Sequence, residues 1–158
     1  RQPANFGDYK VALGIPEILN FGTDVTLISY GISIRVAQEA VKMLQKHEIS
    51  VELIDLQTLI PFDINKDIVE SVRKTNRLVV LDEDVPGGAS AYILQKILVE
   101  QEGFKFLDSA PLTLASKEHR PAYGSDGDYF SKPNADDVFE VIYNLMCETN
   151  PVKFPKVY

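Results

Sequence analysis

Residues 24–46 read DVTLISYGISIRVAQEAVKMLQK, and a change of period inside them decides the fold. Val25 to Tyr30 is a short, β-rich apolar run that stops at Gly31, as a strand buried on both faces does. From Ser33 the spacing lengthens. Ala37, Ala40, Val41 and Leu44 recur at i, i+3, i+4 and i+7, with Arg35, Gln38, Glu39, Lys42 and Lys46 between them. That spacing predicts an amphipathic helix of about three to four turns. A continuous apolar strand feeding such a helix implies a parallel sheet covered on both sides.

The alternation repeats on either side of this unit. Val51 to Leu56 (VELIDL) reads as a second strand, and Pro61 stops its continuation. Asp63 is placed to cap a helix carrying Ile64, Ile68 and Val72, whose end is marked by Arg73 and Lys74. Leu78 to Leu81 (LVVL) is a third strand and Pro86-Gly87-Gly88 a turn. A helix follows with Ile93, Leu94, Ile97 and Leu98 inward and Gly103 as its terminator. Leu112 to Leu114 is a short strand, and 116–133 is too long for a simple connection. Asn134 is expected to cap a last helix, with Asp136 and Asp137 at its positive end and Val138, Ile142 and Leu145 facing the core. Pro16 to Phe21 supplies one edge strand. The expectation is a single three-layer α/β/α domain on a mostly parallel sheet.

Composition agrees with one globular domain. The chain has 158 residues, 45% of them apolar, and one cysteine, Cys147, which excludes an internal disulfide framework. No apolar run approaches the roughly 18 residues of a membrane helix. Sixteen basic and 23 acidic side chains give a net charge of −7. Positions 81–158 hold seven positive and thirteen negative of these, so most of the excess lies there. Such a surface repels nucleic acid, whose binding needs clustered cations, and favours encounter with a basic partner. The chain opens Arg1-Gln2-Pro3 without a basic and apolar secretory signal. Residues 1–14 are expected to be a linker from an upstream domain, 15–150 the folded unit, and 151–158 a basic tail.

Ligands of open parallel sheets sit beyond the carboxyl ends of the strands. Gly31-Ile32-Ser33 lacks the G-x-G-x-x-G pattern there, and no G-x-x-x-x-G-K-S/T occurs. After the third strand, Asp82-Glu83-Asp84 precede Gly87-Gly88, so three carboxylates oppose any phosphate at the following helix start. These three read as a solvated acidic edge, an acidic docking surface, or a metal or acid/base site. Their alternating directions speak against one shared ion. His47, at the end of the first helix, reads as structural; His119 has no neighbouring ligand for zinc; Cys147 reads as a packed thiol. No nucleophile elbow G-x-S-x-G is present, and no self-sufficient catalytic set emerges.

Three stretches in order, Asp24–Gly31 (DVTLISYG), Ile54–Asp63 (IDLQTLIPFD) and Ser71–Asp84 (SVRKTNRLVVLDED), followed by Gly87-Gly88, resemble one known domain. It is the C-terminal domain of thiamine-diphosphate-dependent 2-oxoacid dehydrogenases of the transketolase family. The likeness is to the beta subunit of the pyruvate or branched-chain (2-oxoisovalerate) component, over about residues 12–148. The resemblance implies a five-stranded mixed sheet between helices with one antiparallel edge strand. It implies thiamine diphosphate and magnesium in the intact enzyme but no cofactor, metal or catalytic residue in this domain.

By the same resemblance the intact enzyme decarboxylates a 2-oxo acid and passes the acyl group to a lipoyl acyltransferase. This domain would pair with other domains or subunits of that enzyme, as a homo-oligomer, and would dock the basic binding domain of a dihydrolipoyl acyltransferase. Glu83 and Asp108 are the candidate partner-binding residues. Gln57 stands where the family usually has arginine. The location implied is cytoplasmic in a bacterium or the mitochondrial matrix in a eukaryote, with neither nucleic acid nor membrane as partner. The alternatives are another transketolase-like or oxoacid oxidoreductase enzyme, with an anion site at Gly87-Gly88, and a stand-alone acidic adaptor.

Overall fold

The structure is a computed structural model that describes residues 7, 10–120, 123–124 and 127–156. The expected linker 1–14 and the end of the expected tail lie in part outside the described residues. Five strands form one sheet: β1 Glu17–Asn20, β2 Val25–Ser29, β3 Val51–Asp55, β4 Leu78–Leu81 and β5 Leu112–Leu114, in the order β1-β3-β2-β4-β5. β1 runs antiparallel to β3, and β2, β3, β4 and β5 are mutually parallel. The mixed sheet and its antiparallel edge strand match the expectation.

Each strand reading holds because a strand covered on both faces has no polar side to present. All five residues of β2 are buried, including Thr26 and Ser29. Thr26 is accommodated because its hydroxyl lies 2.7 Å from both Ser71 Oγ and Thr75 Oγ1 of the helix above it. Helix α1 (Ser33–Gln45) buries Ala37, Ala40, Val41 and Leu44. It packs with α5 (Ala135–Thr149) on one face of the sheet, where Val138, Ile142, Tyr143 and Leu145 complete the core. On the other face, α2 (Asp67–Thr75) and α3 (Ala89–Gln95, continued as a π-helical turn to Glu100) bury Ile68, Val72, Ile93 and Ile97. A large apolar side chain fully buried in this way contributes about 1.5–3 kcal/mol.

Three local expectations are corrected. α2 begins at Asp67, so Ile64 lies in the turn ahead of it and is 60% exposed. Asp63 still caps the helix, from a distance: Lys66 adopts a left-handed φ of 63°, which lets the Asp63 carboxylate accept the first free amides, Asp67 N at 2.9 Å and Ile68 N at 3.0 Å. The helical run after β4 does not end on Gly103. Glu102 takes the left-handed turn at φ 60°, and Gly103 opens a short 3-10 turn to Phe106. The stretch 116–133 contains a short helix, α4 (Gly127–Ser131). Asn134 caps α5 as expected, in a reciprocal box with Asp137.

Gly22 fixes the entry to β2. Its amide donates to the Glu52 carboxylate at 3.1 Å, and a Cβ placed there would stand 2.1 Å from Val51 C and 2.2 Å from Glu52 N. Backbone cannot rotate away as a side chain can, so no residue with a side chain fits. Gly22→Ala is expected to lower stability by about 3 kcal/mol, at the upper end of ordinary overpacking. Urea unfolding of the full chain followed by circular dichroism measures it, and a change within experimental error would remove this constraint.

Candidate functional site

The chain leaves β2 toward β3 on one side and later returns to place β4 on the other. The carboxyl ends of β2 and β4 therefore flank the switch point where such sheets open a ligand crevice. Here the crevice is filled by the domain's own groups. Asp82, fully buried, accepts the Tyr30 hydroxyl at 2.5 Å and the amides of Asp84 and Ser90 at 3.0 and 2.8 Å. Ser29 Oγ donates across to the Leu81 carbonyl at 3.0 Å. Asp82 is thus not part of a solvated edge. Its carboxylate occupies the place at the start of α3 where an outside anion would bind.

Burial alone would raise the Asp82 carboxyl, yet the donors from Tyr30, Asp84 and Ser90 hold it below the ordinary carboxylate range. Burial, and then Asp82 itself, push the Tyr30 phenol above its usual value. Glu52, with Lys74 and the Gly22 amide as partners, is lowered against burial in the same way. Asp63 behaves oppositely: burial outweighs its donors and raises it.

The other two members of the acidic triplet point elsewhere. Asp84 accepts the Val85 amide at 2.8 Å and lies against Gly88, where an added Cβ would stand 2.8 Å from Asp84 Oδ2. The Gly87-Gly88 turn is thereby lined by the carboxylate of Asp84. Glu83 is half-exposed and pairs with Lys132 Nζ at 3.3 Å. Among the described residues, no group of three or more His, Cys, Asp or Glu could hold a metal.

Asp108 sits at the other end of the sheet. Its carboxylate takes Arg77 Nη2 at 2.6 Å, while Arg77 Nη1 donates to the Asp24 carbonyl at 3.0 Å, just before β4 begins. Glu83 follows β4. Six residue steps of roughly 3.3 Å separate Arg77 from Glu83, so the two candidate carboxylates lie on the order of 20 Å apart. They belong to different surfaces.

His47 leaves α1 to pack its ring on Phe139 and Tyr143 of α5, at 5.2 and 5.5 Å between centroids. Exposed His119 has Nδ1 2.9 Å from the Arg120 carbonyl, and Cys147 is buried beside Pro155. Gln57, at φ 60°, donates to Asp55 at 2.8 Å and Glu17 at 3.2 Å beyond the end of β3. Sequence reading missed Tyr30, Arg77 and Lys132. Tyr30 had a usable signal, a phenol at the end of a strand buried on both faces; the two cations are joined to their acids only by the fold.

Two open clefts, of about 420 and 500 Å3, flank α4 at the carboxyl edge. Tyr129, Lys132, Pro133 and Asn134 border both, and Glu83 borders the larger.

Comparison with known proteins places these features. The family model "Transketolase, C-terminal domain" matches residues 15–136. The chain is 33% identical over 136 residues to the pyruvate dehydrogenase E1 component subunit beta of Rhizobium meliloti (strain 1021), covering 85% of this chain and 29% of that protein. It is 41% identical over 96 residues to the mitochondrial 2-oxoisovalerate dehydrogenase subunit beta of Dictyostelium discoideum, covering 60% of this chain and 26% of that protein. Among solved structures, an inactive beta4 tetramer of a split-gene transketolase superposes with a TM-score of 0.68 at 26% identity, over 87% of this chain and 44% of that one. The chain spans about a quarter to two fifths of the length of the curated relatives it matches.

The Asp82 cluster carries a pH prediction. A carboxyl lowered on folding stabilises above its unfolded pKa, about 3.9, and that contribution is lost as pH falls through the folded value below it. Asp82→Asn should cost about 1–3 kcal/mol at pH 7. The gap between native and variant stability, measured by urea unfolding from pH 7 downward, should close only below about pH 4. A gap independent of pH would mean that the ionised carboxylate is not what the network holds.

Proposed function

This chain belongs to the transketolase C-terminal domain family, and we propose that it is the assembly and docking domain of a thiamine-diphosphate-dependent 2-oxoacid dehydrogenase of pyruvate or 2-oxoisovalerate type. Residues 15–150 form the unit, 1–14 link it to upstream domains, and 151–158 are a basic tail whose Phe154 packs into the core beside Tyr143. The chemistry of the intact enzyme, decarboxylation of a 2-oxo acid and transfer of its acyl group to a lipoyl acyltransferase, is located on other domains. The occupied crevice at the switch point carries this reading. A diphosphate there would meet Asp82 and Asp84 instead of free amides and cations, so the residues present do not fit thiamine diphosphate.

Two kinds of surface support the assembly role. Leu13, Ile60 and Ile64 are 68, 81 and 60% exposed, and Gly14, whose carbonyl accepts the Ile64 amide at 2.9 Å, joins them into one apolar patch. Exposed apolar side chains gathered in this way suit pairing with another domain or subunit. The acidic positions Glu83 and Asp108 suit a basic binding domain of the acyltransferase component. Because they lie at opposite ends of β4, a small domain engages one of them directly. No helix among the described residues is long and apolar enough to cross a membrane.

In calorimetry the isolated chain should release no heat with thiamine diphosphate and magnesium; micromolar binding would refute the reading. A basic acyltransferase binding domain should bind the chain and weaken as salt rises from about 0.05 to 0.5 M, because the Debye length shrinks over that range. Salt-independent binding, or none with the intact enzyme either, would reject the docking part.

A further inference from the structure

Helix α5 carries two apolar stripes. Val138, Ile142 and Leu145 recur at i, i+4 and i+7 and complete the core. Phe139, Tyr143 and Cys147 recur at i, i+4 and i+8, one residue further on, so this second stripe lies about 100° around the helix. At one end His47 closes it, with its ring against Phe139 and Tyr143. At the other end the cover is the chain itself.

After α5 the chain turns at Asn150, whose carbonyl accepts the Phe154 amide at 2.9 Å and whose side-chain oxygen accepts the Lys153 amide at 3.1 Å. The turn brings Phe154 onto Tyr143, edge to face at 6.4 Å between centroids. It also lays the Pro155 carbonyl over the stripe. The Tyr143 hydroxyl donates to that carbonyl at 3.0 Å, and Cys147 Sγ lies 3.8 Å from it.

This cover is fastened at one point. Phe154 is 4% exposed, whereas Pro151, Val152, Lys153, Pro155 and Lys156 are all exposed, Val152 at 93%. Lys153 Nζ stands 4.9 Å from the centre of the Phe154 ring, a solvated contact that adds only weakly. A segment with a single buried anchor has few contacts to lose, so it can part from the domain while the sheet stays folded. Only the turn from Asn150 to Phe154 must re-form, and a loop that short closes at little cost in entropy.

We propose that residues 151–156 are a strap that opens and closes in the folded domain, hinged at Asn150 and fastened by Phe154, and that its open form uncovers the Tyr143 ring and the Cys147 thiol. The strap makes the reactivity of the chain's one cysteine conditional on one aromatic anchor. This inference is independent of the docking role proposed above.

The test follows labelling of the full chain by excess dithiobis(nitrobenzoate), which reads Cys147 alone. In native buffer the thiol should react about 10- to 150-fold more slowly than in the urea-unfolded chain, the factor that burial of one phenylalanine supplies. That protection should stay level as urea is raised below the unfolding transition, because opening the strap exposes little surface. Tyr143→Phe, which keeps the ring and loses the hydroxyl, should speed labelling about two- to tenfold. Phe154→Ala should speed it about tenfold or more, and Val152→Ala should leave it unchanged. If Phe154→Ala fails to fold, Tyr143→Phe carries the same test.

Protection of about 10³-fold or more that falls from the first addition of urea would mean that only global unfolding reaches the thiol, and the strap would be refuted. Labelling as fast as in the unfolded chain would show that nothing is fastened. Native rates in both Tyr143→Phe and Phe154→Ala would equally overturn the proposal.

Discussion

One buried carboxylate sets the terms for the rest of the molecule. Asp82 follows β4, beside the central strand β2, and its oxygens take a phenol from the end of β2 and amides from the turn after β4 and the start of α3. A charge taken out of water is costly unless every lone pair finds a donor, so these partners cannot be given up singly. The consequence is both structural and chemical. β2, β4 and α3 are joined at the point where a doubly wound sheet ordinarily opens, and the opening is closed by the protein's own anion.

With that crevice filled, the acidic and apolar groups that remain accessible among the described residues lie on the outer surface. Glu83, one residue beyond the pinned aspartate, is presented outward with a defined backbone, and the larger cleft beside α4 sets Ile32, Val36 and Tyr129 near it. The apolar patch of Leu13, Ile60 and Ile64 lies beyond β3 and ahead of α2, and Asp108 lies at the amino end of β4. A rigid sheet thus holds several contact surfaces apart. The proposed assembly role would draw on that arrangement, and the chain spans only part of the length of the curated relatives it matches.

Much of the fold was legible in the sequence, for a physical reason. Strands buried on both faces must be apolar throughout, so VTLIS, VELID and LVVL announce themselves, and α1 and α5 show their inward faces at helical spacing. Local chemistry was read less well. Asp63 was seen as a cap, but the left-handed Lys66 that moves the helix start to Asp67 leaves no trace in composition. The acidic triplet reads as a solvated edge, a docking surface, or a metal or acid/base site, and nothing local tells which member is drawn inside. Tertiary partners separate them: Tyr30 is 52 positions from Asp82, and Lys132 is 49 from Glu83. Charge counts describe a surface; they do not tell which carboxylate has been drawn inside.

The claim that Asp82 closes the crevice is tested most directly by native-state amide hydrogen exchange at Ser90. If the carboxylate joins sheet and helix as described, the Ser90 amide exchanges only when the whole domain unfolds, at the same free energy as Leu27 and Val80 in the central strands. Exchange of Ser90 orders of magnitude faster than these strand amides would mean that the crevice opens in the native state, and the account would fail.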